Sequence, residues 1–385
     1  MTATDGAKGG REFFDIPAEV SYFNAASIAP TLTASLEAGR AALAWRARPW
    51  EIRVEDWFTG AERRRELFAS LIGADSGEIA LVPASSYGCA TAAANLTVRR
   101  GQEVVVLDGE YPSGVYTWRR CAAERGAELR TVSRGPGQGW TEAVLEAIGE
   151  RTAVVSVPQV HWTDGAFLDL VAVSRATRAA GAALVIDASQ SAGAMPLDVR
   201  EIRPDFLFAV GYKWLLGPFG LGYLYADPAH HGGRPLEENW ILRKDAQDFS
   251  RLVDYRDAYE DGARRFDVGQ RTEFELTPMA IAALERMNAW TPAGVARALA
   301  RHTVRIADAA RAAGWSVPEP HGPHMFGIHL PPGVRPGLMA ALEERQVHTA
   351  ARGDALLAEI TGRSPHLAPM ATNCAAPDTG NMELL

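Results

Sequence analysis

Between residues 103 and 225, short apolar runs alternate with amphipathic stretches, and no other feature of the chain narrows its fold as far. EVVVL (103–107), TAVVSV (152–157), AALVID (182–187) and DFLFAV (205–210) are each nearly continuous in apolar residues and bounded by turns. They lack the in–out alternation of a half-exposed strand and fit strands buried on both faces. A helix is expected near 113–125, followed by a further strand at ELRTV (128–132). DLVAVSRATRAAG (169–181) reads as an amphipathic helix stopped by Gly181, a residue suited to a C-terminal cap. Strands alternating with helices imply an α/β fold whose mainly parallel sheet is covered on both faces.

The 385 residues suffice for one large domain and a smaller one. Residues 1–20 read as a tail and a segment packing on the small domain, 21–275 as the large domain, and 276–385 as a small α+β domain with an atypical tail. The stretch 228–275 is polar and aromatic, which suggests loops. From about 276, PMAIAALERMNAW reads as a helix, HMFGIHL (324–330) as a strand and 336–345 as a helix. A net charge of −8 argues against a nucleic-acid partner, since neutralising phosphates needs a basic face. No apolar run approaches membrane-spanning length, and the start lacks a signal-like pattern, so a cytoplasmic protein without membrane contact is expected. Three widely spaced cysteines fit no zinc pattern and cannot all pair, and no HExxH motif appears, so no metal is expected.

Only three lysines stand among thirty-six arginines, and Lys213 sits in GYKWLLGPFGLG, amid aromatic and glycine residues. An arginine is a permanent cation, whereas a lysine can lose its proton and act as a nucleophile. In open α/β sheets, ligands gather at the carboxyl ends of strands. Asp187 closes AALVID, Gln190 follows it, and Lys213 comes just after DFLFAV. By itself Asp187 could equally hold a ribose hydroxyl or a metal, or cap a helix. Together with Lys213 it suggests an aldehyde-bearing pyridine cofactor, anchored by the amine and kept protonated at its ring nitrogen by the carboxylate. The turn in ALVPASSYGCATAAAN (80–95) could hold a phosphate at a helix N-terminus through Ser85 and Ser86, or simply cap that helix. GPFGLG leads into a strand, the wrong order for a nucleotide-binding loop.

These residues resemble the class V aminotransferase family of pyridoxal-phosphate (PLP) enzymes, which includes cysteine desulfurases, kynureninases and isopenicillin-N-epimerase-like proteins. The resemblance runs over roughly residues 20–290 and is carried by IDASQSAG followed by GYKWLLGP. It implies the PLP-dependent transferase architecture of fold type I, similar to aspartate aminotransferase. It further implies that Lys213 holds the cofactor as a Schiff base and moves the Cα proton. Asp187 would pair with the pyridine nitrogen, Gln190 would lie near the phenolic oxygen, and Ser86 and Tyr87 would form the phosphate turn with Ser85. Tyr212 would add a phosphate contact. Tyr111 matches the aromatic residue over the ring, although core packing is an equal alternative. Trp162 matches a position flanking the cofactor, and His161 is either a substrate contact or a buried histidine. Gln270 stands where the family has threonine, so a cross-subunit phosphate contact falls to Gln270, Arg271 or Thr272 and implies a homodimer with shared sites. Asn24 matches a substrate-side loop, and Arg363 in GRSPHL matches the cation for a substrate carboxylate.

The implied activity is an aminotransferase or lyase (C–S or C–C cleavage) acting at Cα or Cβ of an amino acid or amino-acid conjugate. Epimerisation is the alternative, and a non-catalytic binding protein on the same fold is the alternative from another class. A nicotinamide oxidoreductase would need a G-x-G-x-x-G turn between strand and helix, which is missing. Cysteine desulfuration is disfavoured, because QVHTAARGDALLAE (346–359) carries no cysteine.

Overall fold

In the computed structural model, residues 10–331, 335–352 and 355–359 are described. Helices run α1 (Thr33–Arg46), α2 (Thr59–Ile72), α3 (Ser85–Asn95), α4 (Pro112–Arg125), α5 (Trp140–Ala147), α6 (Leu170–Ala179), α7 (Val199–Ile202), α8 (Leu276–Trp290), α9 (Pro292–Ala312) and α10 (Arg335–Glu344). Strands run β1 (Ser21–Phe23), β2 (Ile79–Val82), β3 (Glu103–Leu107), β4 (Glu128–Val132), β5 (Thr152–Pro158), β6 (Ala183–Asp187), β7 (Phe206–Val210), β8 (Gly222–Ala226), β9 (Met325–His329), β10 (Val347–Thr349), β11 (Ala351–Arg352) and β12 (Ala355–Glu359).

Seven strands form the main sheet in the order β2-β8-β7-β6-β5-β3-β4. Pairings from β7 to β4 are parallel, and β8 runs antiparallel to both β7 and β2. The apolar runs give fully buried β3, β5 and β7, as their sequences require. Helix α6 is capped by Asp169, whose carboxylate accepts the Val171 and Ala172 N–H groups at 3.0 Å, and it ends before Gly181 at φ 68°. One face of the sheet packs on α5, α6, α2 and α8 through Leu107, Val155, Ile186 and Leu284, and the other packs on α3 and α4 through Val106, Phe208 and Trp118. Gly88 lets α3 lie close on the sheet, since a Cβ there would sit 2.6 Å from that of Phe208.

A second core holds Phe326, Leu357, Leu299 and Ala307 around the antiparallel sheet β11-β12-β9. Phe23, Val160 and Trp214 join it, so the lysine-bearing loop and the N-terminal strand are sewn to the C-terminal region. Strand β1 pairs parallel with β10, and α8 packs on α1 and α2. The stretch 228–275 consists of turns and short 3₁₀ segments, as its composition suggested. No helix among the described residues is long and apolar enough to cross a membrane.

Candidate active site

The order β5-β3-β4 places β4 outside β3, so the chain crosses over β3 to reach β5. This makes a switch point at the carboxyl ends of β3 and β5. A cleft of about 360 Å³ opens there, solvent-facing space included. Every parallel strand around it contributes: Glu110 and Tyr111 follow β3, Val160 and Trp162 follow β5, Asp187 ends β6, and Tyr212 and Lys213 follow β7. Ser85 enters from the first turn of α3, and Ser189 and Gln190 from the loop after β6. Sequence spacing alone separates these residues widely, and the sheet brings them together.

Lys213 is 8% exposed, and its Nζ lies 5.5 Å from the ring centre of Tyr111 and 6.0 Å from that of Tyr212. Asp187 sits beside Pro158 and Phe208 in the sheet, and its Oδ1 accepts the Ser189 N–H at 2.9 Å. Burial raises the Asp187 pKa, while Ser189 and then Lys213 work to lower it. Gln190 is fixed from several sides. Its Oε1 accepts from the Trp214 indole at 2.9 Å, its Nε2 donates to Ala26 O at 3.2 Å, and its carbonyl accepts from His324 Nε2 at 2.6 Å. Burial drives the His324 pKa down to about 3, so it is a neutral donor tying β9's leading edge to the cleft. The Trp162 indole donates to Gly109 O at 2.7 Å and meets Tyr111 edge-on at 5.5 Å.

Helix α3 opens after Ala84, and no side chain caps its first turn. Ser85 and Ser86 are therefore inside the helix rather than at its cap, and the exposed backbone N–H groups are suited to an anion. Ser86 is solvent-exposed, and Tyr87 is half-buried, its pKa raised by burial and then by nearby Glu237.

Other candidates fall elsewhere. His161 does not line the cleft. It is 2% exposed behind the wall, with Nδ1 bonded to Thr163 Oγ1 at 2.8 Å and its ring on Trp140. Of the two readings of His161, this packing on Trp140 fits the buried histidine. The Thr272 hydroxyl donates to Trp57 O at 2.8 Å. Gln270 is exposed. Asn24 does not line the cleft, and its carbonyl accepts the Ser27 and Ile28 N–H groups at 3.1 Å. Arg363 lies outside the described residues.

Three residues went unread in the sequence: Ser189, Glu110 and Arg352. Glu110 merely precedes Tyr111, and nothing in EYPSGVY marks it as buried. Arg352 lies 5.0 Å over the Trp162 ring and donates to Ser27 Oγ at 2.7 Å. Among the described residues it has no carboxylate partner.

The family model described as Aminotransferase class-V matches residues 50–237. An uncharacterized aminotransferase of Bacillus subtilis, YcbU, is 30% identical over 312 residues, covering 80% of this chain and 76% of that protein. A probable cysteine desulfurase of Methanothermobacter thermautotrophicus is 35% identical over 165 residues, 43% of this chain and 41% of its own. The fold is similar to that of the apo cysteine desulfurase of Thermococcus onnurineus, with a TM-score of 0.80 at 20% identity over 95% of both chains.

Proposed function

Because this chain belongs to the class V aminotransferase family of PLP-dependent enzymes, we propose that it acts at Cα or Cβ of an amino acid or amino-acid conjugate, as an aminotransferase or as a lyase breaking a C–S or C–C bond. The observation that carries this reading is the meeting of Lys213, Asp187, Gln190 and Tyr111 in one cleft with the uncapped start of α3. That set fits the cofactor's chemistry: an amine for an aldehyde, a buried carboxylate for a pyridine nitrogen, and free N–H groups for a phosphate.

When bound, the cofactor supplies an electron-withdrawing ring that stabilises negative charge at the substrate's α-carbon. The chain does the rest. Lys213 holds the aldehyde and moves the proton at Cα. Tyr111 and Tyr212 hold its amine within the cleft, their ring centres 5.5 and 6.0 Å from Nζ. Asp187 keeps the ring nitrogen protonated, and Ser85 with the first turn of α3 holds the phosphate. Tyr111 and Trp162 wall the cleft, and Gln190 is held rigid by Trp214 and Ala26.

Arg352 is the cation we assign to the substrate carboxylate, as guanidinium and carboxylate match in a two-point pair. Arg352→Gln is expected to raise KM by about 10- to 150-fold, the value of a charged hydrogen bond, with a smaller change in kcat. Steady-state kinetics with unchanged KM would remove Arg352 from this role. Neither Cys89 nor Cys121 suits a persulfide carrier. Both are buried, and burial pushes the Cys89 thiol up to about 12. We also read the enzyme as a homodimer, with exposed Gln270 directed to the partner's site.

The test is direct. Purified protein should be yellow, and borohydride should fix the cofactor to Lys213. A colourless protein, or full covalent attachment in Lys213→Ala, sinks the reading. A screen of amino acids for keto-acid, ammonia or sulfide release then separates transamination from cleavage.

A further inference from the structure

We propose that Glu110 is a positioning residue for Asp187: a second acid that keeps its proton while Asp187 is ionised, and so makes the charge facing the cofactor's ring nitrogen pH-dependent. The inference rests on the PLP reading above. Glu110 and Asp187 line the main cleft together, and they also line a second, adjoining pocket with Trp118, Ser156 and Phe208. The two carboxyls therefore share the wall between cleft and pocket. Glu110 Oε1 accepts the Tyr111 N–H at 2.6 Å, which fixes the acid to the residue whose ring lies beside Lys213.

The titratable groups facing Glu110 come from each element around it. Asp187 comes from β6, Tyr212 and Lys213 from the loop after β7, His161 from the loop after β5, Cys89 from α3 and Tyr111 from its own loop. Among these His161 and Lys213 carry the basic nitrogens. The His161 Nε2 is buried with no hydrogen-bond partner among the described residues, and its Nδ1 lies 3.5 Å from Asp164. Asp164 in turn binds Arg134 at 2.6 Å. Burial would raise Asp164, but His161, Ala166 and Arg134 hold it down at about 2, so this outer pair is already neutralised.

Two partly buried carboxyls lining one cleft ionise less readily together than either would alone. Burial lifts Glu110 to about 7, His161 and the Tyr111 N–H oppose the rise, and the charge of Asp187 adds to it. Below neutrality Glu110 is neutral, and Asp187 alone faces the ring. Above neutrality a second negative charge strengthens proton binding at the ring nitrogen and at the Lys213-bound cofactor.

Absorbance titration of the holoenzyme across neutrality tests this with wild type, Glu110→Gln and Glu110→Asp. Wild type should show an inflection of the cofactor band close to neutrality, lost in Glu110→Gln and regained at a displaced pH in Glu110→Asp. An inflection unchanged in Glu110→Gln overturns the proposal. Infrared spectra of cofactor-free wild type and Asp187→Asn carry it independently of colour and of the folding of Glu110→Gln. A protonated-carboxyl band that vanishes across neutrality and survives Asp187→Asn is expected, and its absence overturns the assignment to Glu110. A colourless protein that keeps this band would sink the cofactor reading and leave the shared-proton pair standing.

Discussion

Replacing Asp267 by asparagine is expected to destabilise the protein by about 3–5 kcal/mol, the usual cost of breaking a buried ion pair from one side. Asp267 and Arg65 are both fully buried. Arg65 Nη1 donates to Asp267 Oδ1 at 2.8 Å and to Ile79 O at 2.7 Å, and its Nη2 donates to Asp267 Oδ2. The same carboxylate accepts the Leu81 N–H at 2.8 Å and lies 3.1 Å from Arg271 Nη1. Buried Arg64 adds a third cation, and its Nη2 donates to Arg271 O. Remove the Asp267 charge and Arg65 and Arg271 keep, among the described residues, only Glu62 as an ion-pair partner, which is itself partly exposed. The urea midpoint of Asp267→Asn should therefore fall steeply. The double variant Arg65→Met/Asp267→Leu should recover much of the loss, because apolar replacement of a whole pair is often neutral. Equal stability of the double and single variants would show that the network contributes through packing alone. Acid probes the same cluster. Burial works to raise the Glu62 pKa, but Arg65 and Arg264 hold it at about 2. A lowered pKa gives stability that is present above the ordinary carboxylate range and lost as pH falls towards 2.

That cluster also marks where the sequence stops being readable. The strands from β3 to β7 are legible because each is buried on both faces and must be apolar throughout, and α6 is legible from its period and its terminal glycine. Helix α2, TGAERRRELFASLI, hides its inward face behind Arg64 and Arg65, whose burial depends on Asp267, some two hundred residues away in sequence. A charged pair at the core looks like a solvated face until its partner is known. The cleft divides the same way. Lys213, Asp187 and Gln190 stand at strand ends, where the topology fixes their destination. Glu110 and Arg352 are ordinary charged residues in the sequence, and only the fold shows that one lines the cleft with Asp187 and the other lies across Trp162. His161 shows the converse: it follows a strand end, where the sequence leaves a site residue and a buried histidine both open, and its ring packs on Trp140 of α5.

Asp187→Asn is expected to reduce kcat/KM by roughly 10²- to 10⁴-fold, the span of a positioned proton-transfer group, while stabilising the cofactor-free protein at neutral and alkaline pH. The two effects share one cause. Burial raises the Asp187 pKa, and neither the Ser189 hydrogen bonds nor Lys213 fully offsets it. An acid whose folded pKa lies above its unfolded value contributes stability that is fully present below the unfolded pKa and lost as pH rises through the folded one. The cofactor-free fold therefore carries an unfavourable charge at working pH, which a protonated ring nitrogen would neutralise on binding. Asparagine has the same shape and no charge, so it relieves the strain and removes the reason for the ring to stay protonated. Lys213 is untouched, and the variant should still capture the cofactor covalently. Melting temperatures of cofactor-free wild type and Asp187→Asn should converge in acid and separate as pH rises, with the variant higher. Parallel curves at all pH would mean that Asp187 is not carrying its charge against burial. An active Asp187→Asn enzyme would take the ring-nitrogen role away from it.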